Sequence, residues 1–271
     1  MESSDPILIG KVRDLIGADI RQHLDLYDSD DSCRVLNNDW QIQRFLLANK
    51  LDVDASYIML RDALRWRHSY GVNKRTDGDY PQEFYKTGIY FPYGLDKEQR
   101  TVIYLRIKMY KSFPNVSDFF KQFIIHMINK VDIESDQKGW SMVWDLSGAG
   151  PSNWDLSMVK FIISSFKLYF PRGLQYLIVY GVPWIMNPFV SIALRLMSEE
   201  TRNKVKFASK DQIFEYIDRD QVPDFLDGKC DLPYRDVPKE ADREFRDMAP
   251  ALGYSVQEVD QVYKHYDKYL N

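Results

Sequence analysis

Polar and apolar positions follow two patterns along this chain. From Trp40 to Tyr70 apolar residues recur at spacings of three and four: Ile42, Phe45 and Leu46, then, after Asp54, Tyr57, Ile58, Leu60, Leu64 and Trp66. This spacing predicts two amphipathic helices, ended by Gly71 and the polar run Thr76 to Asp79. Arg44, Arg61, Arg65 and Arg67 fall mostly off the apolar stripe and read as a solvated face. From Thr101 the pattern changes. TVIYLRI (Thr101 to Ile107) and WSMVWDL (Trp140 to Leu146) are short apolar runs rich in β-branched and aromatic residues, which predicts buried strands. Between them Phe120, Phe123, Ile124, Met127, Ile128 and Val131 share one helical face. The step repeats with Leu156, Val159, Ile162, Ile163, Phe166 and Tyr169 on a helix, then LIVYG (Leu177 to Gly181) as a strand, a helix from Asn187 and a short run VKFA from Val205. Such alternation implies parallel pairing through right-handed crossovers, because a tight turn cannot join parallel strands. The expected class is α/β, a largely parallel sheet preceded by a small helical bundle.

The helix from Asn187 is unusual. Its polar residues Asn187, Ser191 and Arg195 are four apart and form one narrow stripe, and apolar groups wrap the rest. That pattern belongs to a helix buried nearly all round or to one facing lipid. At about eleven residues it is too short to span a bilayer. Arg202, Lys204 and Lys206 follow it, and an apolar element flanked by cations suits an anionic membrane surface. A buried crossover helix followed by a solvated loop fits the same pattern. Beyond Pro238 the chain is strongly charged, and Val256, Val259, Val262, Tyr263 and Tyr266 stand at helical spacing. This predicts a helical extension, suited to docking a protein partner or to packing on the domain's own surface.

Composition narrows the function classes. A chain of 271 residues can bury a sizeable core. Its 14% aromatic content suits a cavity as well as a filled interior. A net charge of −4 without a Lys/Arg run excludes nucleic acid as the expected partner. Cys33 and Cys230 are far apart and have no metal spacing, as expected of free thiols in a reducing cytosol. The start, MESSDPILIG, lacks the regions of a secretory signal, and no window reaches eighteen continuous apolar residues, so the chain reads as soluble, meeting membranes from outside. DLSGAGP places glycines after a strand but matches neither GxGxxG, GxxxxGK[ST] nor GxSxG. His23, His68, His126 and His265 form no HExxH pair or sequence-adjacent cluster. No enzyme chemistry, cofactor or metal is expected.

The order of segments resembles the CRAL-TRIO lipid-binding and lipid-transfer family. IQRFLLANKLDVDASYIMLRDALRWRHSYGV, with Arg44, Phe45, Leu46, Ala48, Lys50, Asp52, Trp66 and Arg67, is similar to the helical segment preceding these domains. GLDKEQRTVIYLRI resembles the first strand and its approach, and VWDLSGAG the strand end with Asp145 and Gly148. YFPRGLQYLIVYGVPWIMNPFVSIALRLM resembles the Tyr-Pro block, the turn (here Val182 and Pro183) and the gating helix. VPDFLDGK resembles the closing motif at Pro223 and Gly228.

The resemblance implies a helical segment over 1–78, a lipid-binding domain over 79–235 whose helices enclose a cavity, and a charged extension over 236–271. It implies a cytoplasmic protein, peripheral on intracellular membranes, that binds a hydrophobic ligand and transfers it through a mobile gate, here the helix from Asn187. The expected lining is Tyr104, Trp144 and Val179 from strands, Phe123, Met127 and Phe166 from helices, and Trp184, Phe189, Ile192 and Leu196 at the gate. Val190, Leu194 and Met197, with Phe189, are expected to enter the membrane, and Arg195, Lys204 and Lys206 to meet anionic headgroups. In phosphatidylinositol-transfer members a Glu follows the Tyr-Pro pair and works with a Lys beyond the gate. Here Lys204 is kept, but Phe170 precedes Pro171 and Arg172 follows it, which counts against phosphatidylinositol. Fatty-acid-like, phosphate-bearing, retinoid-like and tocopherol-like ligands stay open. The rival reading is an interaction or membrane-targeting module with no transported ligand.

Overall fold

Three aspartates start helices near the N-terminus of the computed structural model, which describes residues 5–270; Met1 to Ser4 of the acidic opening and Asn271 of the extension lie outside the described residues. Asp5, Asp28 and Asp52 turn their carboxylates onto backbone N–H groups of α1 (Pro6–Gln22), α2 (Ser29–Asn37) and α4 (Val53–Tyr70), satisfying donors that a helix start leaves unpaired. Between the last two lies α3 (Trp40–Ala48). These helices belong to a compact unit within Met1–Arg75 and Ser164–Leu174. Its core joins Val12 and Ile16 of α1 to Ile42 and Leu46 of α3 and to Leu60 of α4. Two of the four arginines expected on a solvated face are buried instead. Arg44 donates to the Pro171 carbonyl at 2.7 Å, and Arg67 holds Asp31 through two bonds of 2.8 and 2.9 Å. Their partners are distant in sequence, so no local pattern reveals them.

The second unit lies within Thr76–Ile163 and Gln175–Asn271. It opens on a turn where Asp77 accepts from His126 Nε2 and Lys130 Nζ, both at 2.7 Å, and from the Tyr85 hydroxyl at 3.2 Å. The hydrogen bond from His126, joined by the one from Lys130, outweighs desolvation and holds the Asp77 carboxyl well below the usual carboxylate range. The chain continues through α5 (Gln82–Lys86), β1 (Tyr90–Leu95), β2 (Thr101–Arg106), α6 (Pro114–Ser135), β3 (Trp140–Asp145), α7 (Leu156–Leu168), whose last residues belong to the first unit, β4 (Leu174–Tyr180), α8 (Asn187–Leu196), α9 (Glu199–Asn203) and β5 (Val205–Ala208). Short helical turns lead from β5 to α10 (Phe245–Met248) and α11 (Val256–Leu270).

The sheet is mixed and mostly parallel, in spatial order β1-β2-β3-β4-β5. β1 lies antiparallel on β2, with a shift in register between Pro92 and Leu95, whereas β2–β3 and β4–β5 are parallel. Proline is tolerated at β1 because it is an edge strand. Spatial order equals chain order, so every crossover steps the same way. With one handedness, α6, α7 and α8 fall on one face of the sheet. The other face packs Val102, Tyr104, Val143 and Ile178 against Ile213 and Val222 of the segment after β5. Gly228 closes that segment where a Cβ would stand 1.8 Å from the Val222 carbonyl oxygen, so only glycine fits.

Candidate functional site

Side chains alternate across a strand, so Leu105, Trp144 and Val179 all point to the helix face. Opposite them stand Phe120 and Ile124 of α6, Met158 and Ile162 of α7, and an inward face of α8 made by Val190, Ala193 and Leu194, with Met197 just beyond. Together they enclose about 50 Å³ within a concavity of about 730 Å³ that includes its open mouth. The lining is almost wholly apolar.

Its polar end is Asp155, which caps α7 by accepting from the Met158 N–H at 3.0 Å and from the Ser112 and Tyr110 hydroxyls at 2.7 and 2.9 Å. Burial opposes its charge, but these hydrogen bonds prevail and hold its carboxyl below the usual range. Burial, followed by the Asp155 charge, pushes the Tyr110 phenol up. Among the described residues no group of three or more His, Cys, Asp or Glu could hold a metal ion.

The outward side of this element mixes the exposed polar groups Asn187, Ser191 and Arg195 with apolar ones. Trp184 is 81% exposed, the most exposed large apolar residue among those described, and Ile185, Ile192 and Leu196 are 42%, 39% and 38% exposed. The turn before α8 is fixed by Gly181, which has a positive φ of 61° and a position where a Cβ would meet Ser147 Oγ at 2.2 Å. After α8, Arg202 donates to the carbonyls of Leu194 and Met197 at 3.2 and 3.3 Å and ties down the helix end. Among the described residues no helix is long and apolar enough to cross a membrane.

The residues expected from sequence divide sharply by face. Trp144 and Val179 line the cavity. Tyr104 does not, because it is one residue out of phase with Leu105 and packs on the far face of the sheet. Phe123 turns to Tyr80, Phe84 and Tyr85, with ring centroids 5.1 to 5.3 Å away. Met127 is buried outside the lining, and Phe166 is buried in the first unit. On α8 the expected apolar faces are reversed: Val190 and Leu194, with Met197 just beyond, look inward, while Ile192 and Leu196 look out; Arg195 is exposed, as expected of a group that meets headgroups. Phe189 rests against Trp154 at 5.3 Å, and Trp184 faces solvent. Lys204 pairs with Glu200 at 3.7 Å, and exposed Lys206 stands opposite Ile178, on the sheet face away from the helices.

Leu105, Ile124, Met158 and Ala193 were not among the expected lining. The signal for Leu105 was present, since Trp144 is its direct partner across the β2–β3 ladder. Arg172, in the place of the family Glu, lies in the left-handed region (φ 62°) and donates to the Leu47 carbonyl at 3.0 Å within the first unit.

A mostly parallel sheet in sequential order, with three helices closing an apolar cavity on one face, defines a class of cavity-forming α/β domain. The CRAL/TRIO domain model matches residues 85–228, more than half of the chain, and the chain belongs to that family. It is 27% identical over 214 residues to a CRAL-TRIO domain-containing protein of Schizosaccharomyces pombe, covering 74% of this chain and 60% of the relative. It is 26% identical over 200 residues to phosphatidylinositol transfer protein CSR1 of Eremothecium gossypii, covering 69% and 46%. It spans less than two thirds of the length of these curated relatives. The crystal structure of Sfh5 has the same fold, with a TM-score of 0.60 and 16% identity over 79% of this chain and 85% of that one.

Proposed function

We propose that this protein binds a hydrophobic lipid in the cavity behind α8 and exchanges it at membrane surfaces by displacing α8. One observation carries the reading: a short helix with apolar side chains on both sides, one set covering an apolar void and the other, Ile192 and Leu196 beside the polar Asn187, Ser191 and Arg195, exposed with Trp184 close by. A soluble monomer gains nothing from the outer apolar side, whereas a helix that opens onto a bilayer uses both. The enclosed 50 Å³ is far below the ~300–1,000 Å³ of a drug-sized ligand site, so this conformation corresponds to the closed gate and loading requires α8 to move outward.

The energetics favour exchange over capture. A sixteen-carbon chain gains on the order of 12 kcal/mol on leaving water, but one leaving a bilayer has already made most of that gain. Selectivity must come from cavity shape and from polar groups at its end, where Asp155 is already paired. Membrane contact falls to Trp184, Ile185, Ile192 and Leu196, with Arg195 beside them, and the protein works from the cytoplasm as a peripheral visitor. A relative named as a phosphatidylinositol transfer protein supports a lipid of this general class, while Arg172 disfavours phosphatidylinositol itself. On the segments FIISSFKLYFPRGLQYLIVYGVPWIMN and KFASK the chain resembles the CRAL-TRIO portion of motile sperm domain-containing protein 2. No covalent chemistry is assigned to it. Native mass spectrometry of the purified chain, with extraction and identification of bound lipid, tests the reading. A stoichiometric lipid is expected; a protein that is empty and takes up no lipid from vesicles overturns it.

A further inference from the structure

A second apolar chamber adjoins the first. It also encloses about 50 Å³, lies beneath α11, and shares Tyr110 and Phe120 with the cavity behind α8. We propose that the two chambers form one tunnel with Phe120 as its internal door, so that a long hydrocarbon chain entering behind α8 ends under the C-terminal helix, which thereby sets the preferred chain length. This rests on the lipid-binding reading above.

The two shared rings are held differently. Their centroids are 6.0 Å apart. Tyr110 is fixed at both ends, its hydroxyl donating to Asp155 at 2.9 Å and its carbonyl accepting from Asn153 at 2.9 Å. Phe120 has only ring packing, against Phe84 at 5.4 Å and Phe123 at 6.0 Å. It can change rotamer without breaking a hydrogen bond, and that movement joins the chambers.

The far chamber is built for hydrocarbon. Its floor includes Phe84, Val116 and Phe245, and its roof is Val262, Tyr263 and Tyr266 of α11. Polar ties hold α11 in place. Tyr263 donates to Glu83, His265 Nε2 to the Met109 carbonyl at 3.1 Å, and Arg235 to the Tyr269 carbonyl at 2.6 Å. Glu83 and Lys111 also line the chamber; Glu83 accepts from the Phe245 N–H at 3.0 Å, and Lys111 is exposed, with its ammonium 5.5 Å from the Phe113 ring centroid. Well-packed interiors hold few voids larger than one water, which needs about 10–15 Å³. These two adjoining apolar hollows, both partly open to solvent, are each larger than that. Joined, the two still fall below the size of a drug-sized ligand site, so a long chain also requires α8 to move outward.

The test uses the full chain incubated with vesicles of phosphatidylcholines of graded acyl length, then re-isolated for native mass spectrometry and lipid analysis. Val262→Trp fills the far chamber from a half-buried helix position and is expected to shift the bound chains toward shorter members at unchanged stoichiometry. Phe120→Ala removes the door and is expected to shift them toward longer members; Phe120→Leu provides the same comparison with less loss of packing, and thermal melts verify that each variant is folded. Variants that load with the native length distribution overturn the tunnel and leave lipid binding intact. A native protein that loads no lipid of any length overturns the reading on which the tunnel rests.

Discussion

Replacing Trp184 with alanine separates membrane contact from folding. A tryptophan side chain contributes roughly 150–250 Å² on burial. With 81% of Trp184 exposed, about 160 Å² remains to be buried against lipid, worth about 4 kcal/mol at full insertion and about 2 kcal/mol at half depth. The smaller figure weakens vesicle partitioning about thirtyfold. The same exposure means the folded state loses little, within about 0.5 kcal/mol. The assay is co-sedimentation with phosphatidylcholine–phosphatidylserine vesicles, repeated at high salt, beside thermal unfolding of both proteins. Because the contact is apolar, the difference between native and W184A proteins is expected to survive salt. Equal partitioning of the two refutes the assignment of this surface to the membrane.

Ala193 is buried against the void, so Ala193→Phe is expected to fill it and abolish lipid loading in native mass spectra while leaving vesicle association in place; overpacking costs about 1–3 kcal/mol. Gly228→Ala forces a methyl group into the Val222 carbonyl and is expected to cost about 3 kcal/mol or more in urea unfolding. The depressed Asp77 carboxyl contributes stability that is fully present above the ordinary value near 3.9 and is lost as pH falls through its lower folded value. Asp77→Asn is therefore expected to lower the melting temperature at pH 7 and to flatten its decline below about pH 5; parallel profiles for the two proteins would remove the ion cluster as the cause.

What could be read from the chain depended on how strongly one periodicity excluded another. β2, β3 and β4 are apolar runs of strand length, and the helices between them leave few alternatives to a parallel sheet. β1 escaped notice because Pro92 and Gly94 disguise an edge strand. The choice between Tyr104 and Leu105 is one of parity: both are apolar and buried, and only the pairing with Trp144 decides which meets the helices. On α8 the apolar surface runs nearly all round, so the sequence specified the helix but not which side turns inward. Trp184 is expected inside from its place beside the gate helix, yet it is 81% exposed, because the turn before α8 carries it away from the cavity. Gly228 was legible as a motif, and its cause, a carbonyl 1.8 Å from where a Cβ would be, is a tertiary fact. The far chamber was beyond reach because it exists only where α11 folds back over α5 and α6.

Because the strands follow one another across the sheet in chain order, α8 and β5 form its last layer. β5 is held by the ladder from Leu177–Val205 to Tyr180–Ala208 and is an edge strand of the sheet among the described residues. Peeling this layer away exposes the cavity yet leaves the β1–β4 pairings untouched. Its opening free energy is thus a local quantity, below that of global unfolding, and amides of residues 187–208 should exchange with solvent well before those of β2 and β3. A fold of this kind can keep a rigid scaffold and a loose margin in one continuous sheet, with the boundary between them drawn by strand order alone.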